Sequence, residues 1–368
     1  MTAPKIQLPH LGGRATKYGY SNARVKGMKG LLLKGSEMDE LLKVKTMDAV
    51  VELLQRTHYK DDLAQLSLLY KGSTLVELAA GRHFGRLARK ILKLSPKSDR
   101  KIVQALLKRW DIQNLKTVIG AKRSGKKFEE IKPYLVAVGS LSESDLERIS
   151  KAEDRMVFDE IRATGFGKEM LSESTNMFTA GTWEVMRGAV KSMDNLLQMQ
   201  ALLDEYAYVY IDRNLISGSK DVQGIKRLFK KEIDAKNIAI IERVKARGID
   251  KAKIKKYMIK GGTLNDATMN ALIDAKDFNA VISIAKSKLS GLDIGADNVK
   301  NIVDLEISLE KAIAREKLRA FYRSVLSIGI LLGFLLLKEE ELHNLRKIAK
   351  GKEFNIPEDK LKEMLVMV

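Results

Sequence analysis

The chain of 368 residues contains no cysteine, only five prolines, four histidines and two tryptophans. Lack of cysteine removes disulfides, thiolate nucleophiles, zinc fingers and iron–sulfur clusters together, and it suits a reducing compartment. His10, His58, His83 and His343 form no HExxH or HxH pattern and no acid pairing of metal-ligand type, so no metal site is expected. No serine sits in a GxSxG elbow. Proline is missing from the whole interval between Pro133 and Pro357, which leaves helices unbroken. Sustained period-2 alternation and Asn-Gly or Asp-Gly turns are absent too, which argues against hairpins of strands. Met1–Gly13 holds no hydrophobic core stretch, so no signal peptide is expected. The longest apolar run, Val325–Leu337 between Arg323 and Lys338, covers only about 20 Å as a helix, against roughly 30 Å of hydrocarbon. It reads as a helix buried on all sides, with Gly329 and Gly333 admitting close packing rather than marking association in lipid.

What is present is apolar residues at 45 % and charged ones at 31 %, the balance of a soluble globular protein. The length suits two to three domains, each able to bury a core. Met47, Val50, Val51 and Leu54 follow the i, i+3, i+4, i+7 spacing of one helical face, as do Phe278, Val281, Ile282 and Ala285. The expected class is all-α. Lys and Arg number 66 against 47 Asp and Glu, a formal charge of +19. Such a field attracts nucleic acid, anionic lipid or an acidic protein, and composition alone does not choose among them.

One unit recurs three times. Segments centred on Asn114, Asn237 and Asn344 align without gaps. Three residues before each Asn is an acid: Asp111, Asp234 or Glu341. Eight after it is Lys122, Lys245 or Lys352. Eleven after comes Gly125, Gly248 or Asn355, residue types that tolerate the left-handed conformation ending a helix. Aliphatics return at Ile131 and Leu135, Ile254 and Met258, Leu361 and Leu365, so a second short helix should pack back on the first. Ala49-Val50-Val51 matches Ala280-Val281-Ile282, whereas Val157 and Thr164 match Val50 and Thr57 at a different offset, which implies a longer interior connection in the middle unit. Three similar helical domains are expected, over residues 1–137, 138–262 and 263–368. Asn and acid read first as structural groups pinning backbone.

Apparent catalytic motifs fail on context. Gly120-Ala-Lys-Arg-Ser-Gly125-Lys126-Lys127 is one residue from a phosphate-binding loop, but Lys127 replaces the magnesium-binding hydroxyl and a helix is expected where a strand is required. Tyr208–Asp212 mimics a second nucleotide motif inside a helical stretch. Glu339-Glu340-Glu341 reads as a solvated helical face rather than an acid/base dyad. No catalytic, cofactor-binding or metal residue is assigned, and no cofactor is expected.

The three Asn-centred units and the opening pattern Tyr-x-x-Ala-Arg-Val-x-x-Met-Lys at Tyr20–Lys29 resemble the C subunit of A/V-type rotary ATP synthases, the counterpart of the d subunit in vacuolar ATPases. Leu337–Leu365, with Glu341, Asn344, Leu345, Arg346, Ala349, Gly351 and Lys352, resembles that family's closing motif. The loose middle unit departs from it, as does Glu242 where Ile119 and Ala349 stand. The resemblance implies a non-catalytic, all-helical funnel of three pseudo-symmetric domains. It would link the central stalk (the D and F subunits) to the membrane rotor ring of proteolipid subunits and transmit torque between ion translocation and ATP synthesis or hydrolysis. It also implies a position peripheral to the cell membrane, on its cytoplasmic side, with no nucleic acid partner. The rival class is a basic helical nucleic-acid-binding protein using Lys226, Arg227, Lys230, Lys231 and Lys251, Lys253, Lys255, Lys256 on phosphates. Against it, no aromatic platform interleaves these clusters, and the charge reads as spread along the chain.

Overall fold

Three helical hairpins carry the molecule, and each hands one helix to its neighbour. The computed structural model describes residues 11–173, 179–216, 220–289, 294, 299–323 and 326–366. Its six long hairpin helices are α1 (Gly72–Leu94), α2 (Arg100–Arg123), α3 (Met193–Asn214), α4 (Lys220–Ala246), α5 (Ile302–Arg323) and α6 (Ile328–Glu353). No strand occurs among the described residues, and the fold is all-α. The segment before Leu11, with His10, and Val325 of the apolar run lie outside the described residues.

In sequence the hairpins are α1–α2, α3–α4 and α5–α6, and each second helix carries one of the three Asn. Packing is largely offset from this order, although α5 and α6 also pack on each other. Helix α2 packs chiefly on α3, α4 on α5, and α6 on α1. The buried side chains follow the same offset. Ile112, Leu115, Val118 and Ile119 in the second half of α2 share a core with Leu146, Ile149, Val157, Phe158, Met199 and Leu203 of the middle unit. The α6–α1 contact therefore closes a ring, and it does so without covalent continuity.

Ahead of each hairpin lie shorter helices, two of which recur in every unit. The first are Gly35–Lys43, Glu143–Lys151 and Asp266–Asp274, and the second are Met47–Gln55, Val157–Ala163 and Phe278–Lys288. The expected stripes bury Val50 and Leu54 in one case and Val281, Ile282 and Ala285 in another. Thr46 accepts from the Ala49 N–H at 3.2 Å and Asp277 from the Ala280 N–H at 2.9 Å, so the matched Ala-Val-Val and Ala-Val-Ile segments begin with equivalent caps. Thr57 and Thr164 match as well: each hydroxyl donates to the carbonyl three residues earlier at 2.6 Å. The longer connection of the middle unit contains an extra helix, Ala180–Gly188, before α3 begins.

Within the apolar run, α6 starts at Ile328, where the Ser327 hydroxyl accepts from the Gly329 N–H at 3.0 Å. Ile328–Leu337 is buried throughout. A Cβ on Gly333 would overlap Phe321 of α5, so this glycine does permit the close helix approach. Among the described residues no helix is long and apolar enough to cross a membrane. An amino-terminal helix, Leu11–Gly27, ties the hairpin ends together. Asn22 exchanges two hydrogen bonds with Ser327 (3.0 and 2.9 Å), while Lys17 pairs with Asp99 at 2.7 Å and Tyr18 donates to the same carboxylate.

Candidate functional site: three seams around a buried charge cluster

The repeated Asn is a clasp. Asn114 Nδ2 donates to the Val136 carbonyl and its Oδ1 accepts from the Val136 N–H, both at 2.9 Å. Asn237 makes the same pair with Ile259, at 2.8 Å each, and Asn344 with Val366, at 2.7 and 3.0 Å. In every case the partner lies twenty-two residues downstream. The chain can return because Gly125 and Gly248 take φ +68° and Asn355 takes φ +54°, the left-handed turn that stops an α-helix. The side chain thus replaces a missing partner for a buried backbone segment.

The acid and the lysine act on the next unit instead. Asp111 accepts from the N–H and hydroxyl of Ser140 (2.7 and 2.9 Å) and the Leu141 N–H (2.9 Å). Asp234 accepts from the N–H groups of Thr263 (2.8 Å) and Leu264 (3.2 Å) and from the Thr263 hydroxyl, at 2.5 Å. Glu341 accepts from the Leu33 N–H at 2.9 Å. These backbone groups immediately precede the nine-residue helices. At the other end, Lys122 donates to the carbonyls of Ser150 (2.9 Å) and Ala152 (2.7 Å). Lys245 donates to those of Leu272 (2.7 Å) and Ala275 (3.3 Å), and Lys352 to that of Leu42 at 2.5 Å. Acid and lysine are eleven residues apart on their long helix, about 16 Å, and a nine-residue helix spans about 13 Å. Each short helix therefore lies parallel to the preceding unit's long helix, held at its start by a carboxylate and at its end by an ammonium. That polarity matches the helix dipole.

Where α2, α4 and α6 meet, the position five before each Asn is occupied by Arg109, Glu232 or Glu339. Arg109 pairs with Glu232 at 2.6 Å and with Glu339 at 3.7 Å. Around them, Lys317 pairs with Glu340 at 2.5 Å, and Asp204 with Lys116 (2.8 Å) and Lys236 (3.6 Å). Tyr208 donates to Glu232 at 2.9 Å. These groups form four cations against four anions. Burial opposes ionisation of Glu232, but the Arg109 and Lys317 charges prevail and hold its carboxyl down at about 2. Burial raises the Tyr208 phenol, reinforced by Glu232.

Several sequence expectations require correction. The Glu339-Glu340-Glu341 run is not a solvated face; all three are buried, because they face Arg109, Lys317 and Lys338. Apart from these, His83 Nδ1 lies 3.0 Å from Asp62, which also accepts from Arg86 at 2.6 Å, a contact that leaves the absence of a metal-ligand pattern as it was read. The charge is gathered rather than spread. Residues 11–36 hold six Lys or Arg and no acid, and residues 78–110 hold ten against Asp99 alone, so +15 of the +19 falls in these two stretches. Both nucleotide-like motifs lie in helical context. Gly120 lies within α2 and Gly125 just past its end, while Tyr208–Asp212 lies within α3. Lys251, Lys253, Lys255 and Lys256 are exposed at one short turn.

Alignment of the three units against one another missed the Arg109–Glu232–Glu339 contact altogether. The signal that could have found it was their common register, five residues before the Asn. A family model described as ATP synthase (C/AC39) subunit matches residues 21–364. The chain is 24 % identical to the A-type ATP synthase C subunit of Methanocaldococcus jannaschii, over 95 % of this chain and 86 % of that protein. It is 26 % identical to the protein of the same name from Methanococcoides burtonii, over 96 % of each. With that from Pyrococcus horikoshii it shares 27 %, over 95 % of this chain and 90 % of that one.

Proposed function

The chain belongs to the ATP synthase (C/AC39) subunit family, and from that premise we propose that it is a non-catalytic coupling subunit of an A-type rotary ATP synthase. Its three units, 1–137, 138–262 and 263–368, act as lobes of a funnel. The funnel seats the foot of the central stalk, formed by the D and F subunits, and rests on the membrane rotor ring of proteolipid subunits at the cytoplasmic face. It carries torque between ion translocation and ATP synthesis or hydrolysis. The observation that supports this most is ring closure: α6 on α1, sealed by the Glu341–Leu33 and Lys352–Leu42 contacts. A torque-bearing adaptor must not splay under load. Three interlocked hairpins of close-packed helices resist that better than three beads on a string, because each lobe is gripped by its neighbour.

Co-purification tests the reading. The tagged chain expressed with stalk and ring subunits should retain the D and F subunits together with the ring. A chain that retains neither, and instead elutes from immobilised DNA only at high salt, would establish the nucleic-acid-binding class.

A further inference from the structure

The basic stretches 11–36 and 78–110 are distant in sequence but meet at one end of the molecule. The α1–α2 turn carries Asp99, and the amino-terminal helix docks on it through Lys17 and Tyr18. Asp99 is thereby consumed internally, with Ser98 donating to it at 3.0 Å as well. Lys90, Lys93, Lys97 and Lys101 around the turn are exposed, and none forms an ion pair among the described residues. Arg24 and Lys26 stand exposed on the adjacent helix. We propose that this end binds the anionic phospholipid headgroups of the membrane directly, an inference that rests on the rotary-subunit reading above.

The chemistry of the surface favours lipid over other anions. A protein partner would need a dry apolar centre, yet Tyr20, 71 % exposed, is the one large apolar side chain standing free on the described parts of these two stretches. A nucleic acid would find phosphate contacts but no row of stacking aromatics. A bilayer surface requires neither. It requires a dense array of flexible cations within a Debye length of the headgroups, and it accepts an interfacial tyrosine. Each such cation multiplies partitioning onto an anionic leaflet by about fivefold.

The full chain alone, without other subunits, is floated with vesicles at low salt. Vesicles are either pure phosphatidylcholine or phosphatidylcholine containing phosphatidylglycerol. Wild type should float only with the anionic vesicles and be released by salt. The variant Lys90→Gln/Lys93→Gln/Lys97→Gln/Lys101→Gln should lose at least a hundredfold in partitioning, whereas the all-Arg replacement at the same positions should bind as wild type. Lys251→Gln/Lys253→Gln/Lys255→Gln/Lys256→Gln, which removes the same charge from the turn after α4, should retain binding. No flotation of wild type with anionic vesicles would overturn the proposal, as would equal losses in the two Gln variants or displacement of the vesicles by DNA. Such a failure with stalk co-purification intact sinks the lipid contact alone; lost co-purification sinks the functional reading instead.

Discussion

The seam that closes the ring is built differently from the two that the chain itself spans. Leu33, Leu141 and Leu264 are equivalent, each receiving the acid of the preceding long helix. Two residues before them stand Leu31, Gly139 and Gly262, and one before stand Leu32, Ser140 and Thr263. At the internal seams a Cβ on Gly139 or Gly262 would overlap the Asp111 or Asp234 carboxylate. The short aspartate therefore sits against bare backbone and collects a hydroxyl as well as N–H groups. At the closure seam neither glycine nor hydroxyl is available. The acid is the longer glutamate, and Glu341 replaces the missing donors with the Tyr59 hydroxyl and the Lys338 ammonium, both at 2.5 Å. Lys338 in turn donates to the Leu31 carbonyl at 2.6 Å. Where the chain does not tether the units, Lys338 and Glu341, a buried ion pair within α6, each reach across to the Leu31–Leu33 backbone.

The comparison breaks most severely where all three seams converge. Arg109→Met leaves Glu232 and Glu339 buried without their cation and should cost about 3–5 kcal/mol, measured by denaturant unfolding, with no seam spared. Acid should act on the same point. Because Glu232 is held near 2 in the fold and unfolded glutamate titrates near 4.3, its contribution is complete above the unfolded value. It is lost as pH falls toward 2, roughly 3 kcal/mol in all. Unfolding midpoints measured across that interval should drop for wild type and drop less for Glu232→Gln.

Removing one clasp separates the seams from one another. Asn237→Ala and Asn344→Ala each strand a buried carbonyl and N–H, roughly 3 kcal/mol. Amide exchange should rise locally around 250–275 in the first variant. In the second it should rise at both 28–43 and 344–366, since those segments are joined only through the closure. The smallest and sharpest contrast is chemical. Glu341→Gln leaves the Lys338 ammonium buried beside a neutral amide, about 2–3 kcal/mol, whereas Asp111→Asn keeps one acceptor oxygen and sets its Nδ2 donor against one backbone N–H of Ser140 or Leu141, about 1–2 kcal/mol for that stranded donor. Equal costs in thermal unfolding would mean that the two kinds of seam are energetically alike.

The repeat was legible in the chain because clasp and helix stop act within one unit. Asn, Gly or Asn, and the returning aliphatics keep the same residue type wherever the same local job is done. Partners across seams were not legible, because Asp111 and Lys122 serve a neighbour and Lys352 serves Leu42 at the far end of the chain. The central contact was hidden for a further reason. Self-comparison seeks sameness, but residues meeting at a shared point must be complementary, so Arg109 differs from Glu232 and Glu339 because it pairs with both. The three consecutive glutamates were misjudged by type alone, without the cations that α2 and α5 bring to them.

ATP-driven ion pumping by the reconstituted holoenzyme tests the proposed coupling role most directly. Complexes lacking this chain should still hydrolyse ATP in the soluble head yet pump no ions into vesicles, and adding the purified chain should restore pumping. Normal ATP-driven pumping by a complex verified to lack the chain would contradict the coupling role.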